Sequence, residues 1–186
     1  MANPALVEPF SAADYLRWEA EQPDKHEFVA GEVFAMGGAS RRHVTVSLNL
    51  ASALDDALAG SPCRAYMADM KVETARDSAY FYPDVLATCD PADHQADQVM
   101  TSPCLVAEVL SPSTAAYDRG DKFAAYRGIP SLREYVLIDP DQKRVELYRR
   151  GEDGLWVLRD IQPGEPLTLA SVGAEVAWER LFRNVD

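Results

Sequence analysis

The feature that most constrains the fold is an apolar run in the middle of the chain, residues 104–110, with the sequence CLVAEVL. Every residue in this run is apolar except Glu108. A strand with one face in water alternates apolar and polar residues, whereas a strand covered on both faces is apolar throughout. The run therefore predicts a central strand whose sheet is covered on both sides, as in an α/β fold.

Apolar spacing and turn residues predict the elements around this strand. The N-terminal part contains a short helix that is capped by Ser11, followed by a β-hairpin over residues 26–36. The remaining elements, in chain order, are a long helix over 42–59, strands over 64–73, 80–89 and 103–110, a helix over 117–127, strands over 134–138 and 144–149, and a docked strand and short helix in the tail near 174–182. The order helix, three strands, helix, strand predicts one α/β domain, residues 1–186, with a central mixed sheet flanked by helices.

The composition fits a globular chain and excludes some functions. The 186 residues are 47% hydrophobic and 26% charged, which is ordinary for one domain with a substantial core. The 18 basic and 30 acidic side chains give a net charge of −12, the wrong sign for a protein that coats DNA or anionic lipid. An enzyme that meets nucleic acid through one local basic face remains compatible with this charge.

The sequence indicates neither a membrane segment nor a disulfide framework. No apolar run approaches the roughly 20 residues of a membrane-spanning helix, and residues 1–8 do not read as a signal peptide. We therefore expect a cytoplasmic protein with no membrane partner. Cys63, Cys89 and Cys104 are odd in number and lack C-x-x-C spacing, so we expect free buried thiols.

The single acid in the apolar run needs an explanation. Burying an unpaired carboxylate costs several kcal/mol, so Glu108 must be paired, be protonated or face a cleft that holds a cation. One interpretation is an ion pair with a nearby arginine or lysine that serves only the fold. The other is a functional site.

Two further residues favour a site at Glu108. Asp84 follows a proline and begins an apolar strand, so two adjacent strands can present Asp84 and Glu108 together. Paired carboxylates repel unless a cation lies between them, and Mg²⁺ or Mn²⁺ accepts such oxygen ligands together with water. Lys122, on the next helix, is a solvated lysine, a partner of the neighbouring Asp118 and Asp121, or a group that orients water and offsets charge on a phosphate.

Six stretches of the sequence together carry a family resemblance. They are EFVAGEV at 27–33, His43 at the start of a long helix, YPDV at 82–85, EVLSPST at 108–114, DRGDK at 118–122 and PSLREY at 130–135. Together they resemble the Uma-two family of restriction endonuclease-like proteins, in the PD-(D/E)XK nuclease superfamily, over most of the chain. The resemblance implies the restriction endonuclease-like fold, a helix, three strands, a helix and a strand around a mixed sheet, which matches the predicted order.

The resemblance also implies roles for individual residues. The superfamily's Pro-Asp falls on Asp84 and its second acid on Glu108, which are thereby implied ligands of Mg²⁺ or Mn²⁺. Two residues after Glu108 the pattern has lysine where this chain has Leu110, so the role would pass to Lys122, as in some members of the superfamily. The superfamily often adds an acid from its first core helix. The comparable positions here are Glu27, Glu32 and His43.

The sequence thus predicts a metal-dependent DNA endonuclease in which Asp84 and Glu108 hold the metal and Lys122 assists the attack of water on a phosphodiester. Asp69, which alternates with apolar residues, either lines the same cleft or faces solvent. The alternative is an inactive module that keeps the nuclease fold, binds nucleic acid or a protein, and uses Glu108 in a structural ion pair. By analogy with nucleases that cut both strands, a homodimer is plausible, with the hairpin at 26–36 or the C-terminal strands as its edge.

Overall fold

The computed structural model describes residues 10–75 and 78–186; residues 1–9, on which the expectation about a signal peptide rests, lie outside them. Its elements, in chain order, are α1 (Ala12–Glu19), β1 (His26–Val29), β2 (Glu32–Ala35), α2 (Arg41–Leu58), β3 (Arg64–Met67), β4 (Lys71–Ala75), β5 (Ala79–Phe81), β6 (Val85–Thr88), a 3₁₀-helix (Asp93–Gln95), β7 (Val99–Met100), β8 (Leu105–Val109), α3 (Ala115–Tyr117), a π-helix (Asp118–Lys122), α4 (Phe123–Tyr126), β9 (Glu134–Asp139), β10 (Arg144–Arg150), β11 (Trp156–Ile161), β12 (Leu167–Leu169), β13 (Ala174–Val176) and α5 (Trp178–Leu181). Among these described elements, no helix is long and apolar enough to cross a membrane.

A six-stranded mixed sheet forms the centre, in the order β11-β10-β9-β8-β6-β3. The β8 and β9 strands run parallel, and the other neighbours pair antiparallel. Every residue of β8 is buried, as its apolar sequence predicts. Leu105, Ala107 and Val109 pack with α2 and α5 on one face, whereas Val106 and Leu110 pack with α4 on the other. The α/β fold class predicted from the sequence is therefore confirmed.

A second sheet, in the order β2-β1-β5-β4-β7, covers the α4 side of the central sheet. Val72 and Phe81 from this sheet join the same apolar cluster as Val106. Its first two strands form the predicted hairpin, in which Ala30 and Gly31 have φ values of 49° and 95°. Positive φ at both turn residues matches the right-handed twist of the paired strands, so this turn sets the hairpin register.

Two predicted strands are wrong in extent, because each is divided between the two sheets. The run 64–73 is broken at Ala68, whose φ of 59° turns the chain from β3 to β4. The run 80–89 is broken at Pro83 and Asp84, between β5 and β6. Proline has no N–H to donate to a ladder, so a strand begins more readily after it than through it. The second break leaves Asp84 at the start of a central strand.

The predicted helix over 117–127 contains a π-helical segment, Asp118–Lys122. The segment lies between α3 and α4, and both Asp118 and Lys122 are buried. Such π-helical insertions occur mostly within α-helices and often at functional sites. Here the segment brings two charged side chains, four residues apart, to the inner side of the helix.

The expectation of three free thiols is wrong, because Cys63 and Cys89 form a disulfide and only Cys104 is free. The β3–β6 register pairs Arg64 with Thr88, so the next residues outward, Cys63 and Cys89, face each other. A separation of 26 residues gives no sign of this pairing. The pairing depends on strand register, which the spacing of cysteines does not report.

Candidate active site

Two strand ends bring Asp84 and Glu108 together, as the sequence predicted they could. The antiparallel β6–β8 register pairs Val85 with Ala107, and its next step places Asp84 opposite Glu108. The backbone N–H of Val109 donates to Asp84 Oδ2 at 2.7 Å, which fixes the aspartate against β8. Glu108 is only 4% exposed.

Lys122 lies between carboxylates and is not a solvated surface lysine. Its Nζ is 2.9 Å from Glu27 Oε1, 3.0 Å from Glu108 Oε1 and 4.0 Å from Asp118 Oδ1. The lysine is 5% exposed, so these carboxylates replace most of its hydration. Glu108 therefore has the lysine partner that the ion-pair interpretation required, and that lysine is also the one implied by the family resemblance.

Of the acids proposed to complete the site, only Glu27 reaches this group. It lies on β1, and its Oε1 accepts a hydrogen bond from the backbone N–H of Tyr82 at 3.3 Å. Glu32 is exposed on β2. Asp69 is exposed and pairs with Lys25, so it faces solvent rather than the site.

His43 contacts the site from the first turn of α2. Its Nε2 is 3.2 Å from Asp84 Oδ2. Burial lowers the pKa of His43, but the hydrogen bond and charge of Asp84 outweigh it, and the pKa is raised. Among the described residues, the His43 Nδ1 is a buried atom that lacks a hydrogen-bond partner. Buried polar atoms are rarely left so in folded proteins, and such exceptions accompany catalytic sites or bound water and ions.

The charges at this group do not balance. Four carboxylates surround Lys122 and His43: Glu27, Asp84, Glu108 and Asp118. Burial raises the pKa of Glu108, the neighbouring acids add to the increase and Lys122 opposes it; the resulting pKa is about 8. Burial also raises the pKa of Asp118. An added cation would relieve this excess of negative charge.

The donor chemistry of the site suits a hard divalent cation. Among the described residues, no three His, Cys, Asp or Glu side chains are placed to hold a metal on their own. Magnesium is commonly held by only one or two carboxylates, with water completing its shell. Asp84 and Glu108 provide two carboxylates, and the contacts of Glu108 to Lys122 and Tyr126 are both made through Oε1.

Tyr126 belongs to the site and was not predicted from the sequence. Its hydroxyl donates to Glu108 Oε1 at 3.0 Å, from a fully buried position on α4. Tyr126 follows Lys122 by four residues, which places the two on one helix face. That spacing was the available signal, but a tyrosine in an apolar helix is more often a packing residue.

The fold of the chain is similar to that of a protein of known structure. The structure superimposes on the crystal structure of a "putative nuclease belonging to DUF820" from Anabaena variabilis with a TM-score of 0.79, over 96% of this chain and 100% of that chain. At 16% sequence identity, this likeness concerns the fold alone. The fold is thus the one seen in a nuclease-like protein.

The family follows from sequence. The model of the Uma2 family, described as "Putative restriction endonuclease", matches residues 12–179, and the chain belongs to this family. It is 39% identical to the uncharacterized protein slr1290 of Synechocystis sp. over 175 residues, covering 94% of this chain and 92% of the relative. It is 36% identical to the uncharacterized protein sll1609 of the same organism over 159 residues, covering 84% and 90% respectively. The resemblance stated from the sequence is confirmed.

Proposed function

We propose that this chain is a metal-dependent endonuclease that hydrolyses phosphodiester bonds in DNA. The observation that carries the proposal is the placement of Asp84 opposite Glu108, with Lys122 Nζ 3.0 Å from the Glu108 carboxylate. The family description and the nuclease-like fold support the same class of reaction.

Asp84 and Glu108 are the residues that would hold Mg²⁺ or Mn²⁺. When bound, such an ion supplies a Lewis acid for the phosphate and lowers the pKa of a coordinated water. The excess of carboxylates over cations at the site supports this assignment, because a divalent ion would offset both the burial of the Glu108 charge, which is the main cause of its raised pKa, and the smaller repulsion from the neighbouring acids.

Lys122 would act on the phosphate and the attacking water. Its ammonium group offers three donors, so contacts with Glu27 and Glu108 leave capacity for a further hydrogen bond. A fixed positive charge beside the reacting phosphate stabilises the charge that develops in the transition state. Glu27 and Asp118 are positioning residues in this scheme, because they hold the ammonium group in place.

His43 is also a positioning residue in this proposal. Its Nε2 and the N–H of Val109 both contact Oδ2 of Asp84, which fixes the orientation of that carboxylate. A ligand held by such partners needs no reordering when a metal binds.

We propose further that residues 1–186 act as one domain and that two copies pair to cut both strands. Nucleases that cut both strands commonly use two-fold symmetry. The edge strands β11 and β2 carry exposed apolar residues, Val157, Leu158 and Phe34, which are suited to pairing with a second copy.

The ion pair between Lys122 and Glu108 also favours a second candidate, a module that keeps the nuclease fold and binds nucleic acid or a protein without cutting. In that case the pair stabilises the fold and no metal is needed. The two candidates differ in their response to metal, which the following experiment measures.

The experiment measures cleavage of supercoiled plasmid and single-stranded DNA in Mg²⁺, Mn²⁺ or EDTA. The wild type is compared with Asp84→Asn and Glu108→Gln, purified identically. Glu146→Gln is the matched control, because Glu146 is as buried as Glu108 but lies on β10 and pairs with Arg119 and Arg144. We expect metal-dependent nicking in the wild type and control, and a loss of at least roughly 10³-fold in the two site variants.

Thermal melting separates the remaining outcomes. A metal that binds only the folded state raises its melting temperature as concentration passes the dissociation constant. If no protein cuts, but Mn²⁺ raises the melting temperatures of the wild type and Glu146→Gln and not those of the two site variants, the metal site stands and the DNA tested is not the substrate. If Mn²⁺ changes neither cleavage nor the melting temperature, the protein is the non-cutting binding module and the nuclease proposal fails.

A further inference from the structure

Three sulfur atoms meet at the end of the central sheet that lies away from the carboxylates. Cys63 precedes β3, Cys89 follows β6 and Cys104 precedes β8. Cys63 and Cys89 are disulfide-bonded, and Cys104 Sγ lies 3.8 Å from Cys89 Sγ. A free thiol this close to a disulfide sulfur is near van der Waals contact.

We propose that these cysteines form an exchange site that moves the free thiol from Cys104 to Cys63. In the exchange, the thiolate of Cys104 attacks Cys89 Sγ, the Cys89–Cys104 bond forms and the Cys63–Cys89 bond breaks. Cys63 leaves as a thiolate and takes up the proton that Cys104 lost. The step conserves electrons, so it needs neither an oxidant nor a reductant.

The loop between the two reacting cysteines is held in place by a buried carboxylate. Asp93 accepts hydrogen bonds from the Thr88 hydroxyl at 2.8 Å, from the Thr101 N–H at 2.9 Å and from the Ser102 N–H at 3.1 Å. These bonds tie the residue before Cys89 to the segment that leads into Cys104. The attacking sulfur is therefore kept beside its target by the fold.

The two thiols that exchange would connect lie in different surroundings. Cys104 donates to the backbone oxygen of Ala87 at 3.3 Å, and burial raises the pKa of its thiol to about 11. Cys63 lines an open groove of about 450 Å³ between the end of α2 and β3. The groove is lined by one charge of each sign, Arg64 and Asp55, of which the arginine favours the thiolate form and the aspartate opposes it.

Exchange would thus create a modification site at Cys63. A small thiol-reactive electrophile or a small-molecule disulfide would meet the Cys63 thiol in the groove, whereas Cys104, which is also partly exposed, is kept mostly protonated by its raised pKa. With a disulfide R–S–S–R, the Cys63 thiolate forms Cys63–S–S–R and releases R–S⁻. The modified state would carry the cross-link on β6 and β8, the strands that position Asp84 and Glu108.

The test identifies which cysteine is alkylated. The full chain, not reduced, is incubated with N-ethylmaleimide at pH 8.5 and 9.5, quenched in acid and digested with pepsin at acid pH, where exchange stops. Mass spectrometry then locates the label and the disulfide. We expect label on Cys63 together with a Cys89–Cys104 disulfide, appearing about tenfold faster per pH unit while the attacking thiol remains mostly protonated.

Two variants serve as controls. Cys104→Ser keeps the Cys63–Cys89 disulfide and has no free thiol, so it should take up no label, which excludes labelling through a reduced fraction of that disulfide. Cys63→Ser should form a Cys89–Cys104 disulfide under mild oxidation. Label on Cys104 alone with Cys63–Cys89 intact throughout, or label on three cysteines, would overturn the proposal. Neither result depends on whether the protein cuts DNA.

Discussion

Glu134 and Glu108 are both buried carboxylates on neighbouring parallel strands, but their surroundings differ. Glu134 accepts from the backbone N–H groups of Ala170 and Ser171, from the Ser171 hydroxyl and from Arg149. These donors satisfy both of its oxygens. Glu108 receives Lys122 and Tyr126 on one oxygen and is surrounded by other acids.

The comparison shows how a buried acid can be assigned to structure or to function. The donors around Glu134 tie β9 to the turn between β12 and β13, so this carboxylate stabilises the fold through its hydrogen bonds. The surroundings of Glu108 oppose its ionised form, since burial raises its pKa to about 8. Buried carboxylates whose pKa is raised in this way are typical of sites that bind a cation or exchange a proton.

The largest expected effect on stability separates these two acids. Glu134→Gln places an amide NH₂ group among donors and weakens the pairing with Arg149, so we expect a loss of about 3 kcal/mol in the free energy of unfolding. Glu108→Gln replaces a carboxyl group that is mostly protonated in the folded state at pH 5, since its pKa is about 8, so at that pH in EDTA we expect a change below about 1 kcal/mol. Urea unfolding measures both. Equal losses in the two variants would mean that Glu108 is as structural as Glu134.

The two buried lysines extend the comparison. Lys122→Met leaves Glu27, Glu108 and Asp118 without their cation, and we expect a loss of about 2 kcal/mol at pH 8 in EDTA. Lys71 is equally buried but donates to the hydroxyl of Tyr82, and burial lowers its pKa.

The matched control for this prediction is Lys71→Met. The ammonium group of Lys71 donates to the Tyr82 hydroxyl and, among the described residues, forms no ion pair with a carboxylate, so we expect a loss below about 1 kcal/mol. Chemical unfolding of both variants at pH 8 gives the difference. A Lys71→Met variant that loses as much as Lys122→Met would show that any buried lysine matters, whatever its partners.

Much of the fold was predictable because its signals are local. The apolar run of β8, the cap at Ser11 and the Ala30-Gly31 turn each act within a few residues, and the structure has the elements they predict. The same holds for the juxtaposition of Asp84 and Glu108, since each is marked by its own strand.

The features that were not predictable depend on contacts between distant segments. The disulfide of Cys63 and Cys89 depends on the register of β3 against β6. The division of the runs 64–73 and 80–89 between two sheets depends on which strands each half pairs with. The choice of Glu27 over Glu32 depends on which side of the hairpin faces α4. None of these choices leaves a pattern within a single segment.

The pH dependence of stability sharpens the assignment of Glu108. Its pKa in the folded state, about 8, lies above its ordinary value near 4.5, so folding favours the protonated acid. The stability gained from this proton is complete below pH 4.5 and is lost as the pH rises through 8.

Urea unfolding in EDTA from pH 5 to pH 8 measures this effect. We expect the wild type to lose on the order of 3 kcal/mol relative to Glu108→Gln over this range. Saturating Mn²⁺ should make the free energies of unfolding of the two proteins change equally with pH, because a bound cation favours the ionised acid. A wild type that gains stability relative to the variant as the pH rises would contradict the raised pKa.

The smallest expected effect comes from the hydroxyl of Tyr126. Tyr126→Phe removes its hydrogen bond to Glu108 at 3.0 Å, and we expect a loss of about 1 kcal/mol. The hydroxyl also stabilises the ionised form of Glu108. The stability of Tyr126→Phe should therefore decline at a higher pH than that of the wild type. Tyr135→Phe is the matched control, because that hydroxyl donates at the same distance to the backbone oxygen of Asp118. Both variants should lose similar stability, but only Tyr126→Phe should shift the pH profile. A shift in both would mean that loosening the helix, rather than losing one donor to Glu108, controls the titration.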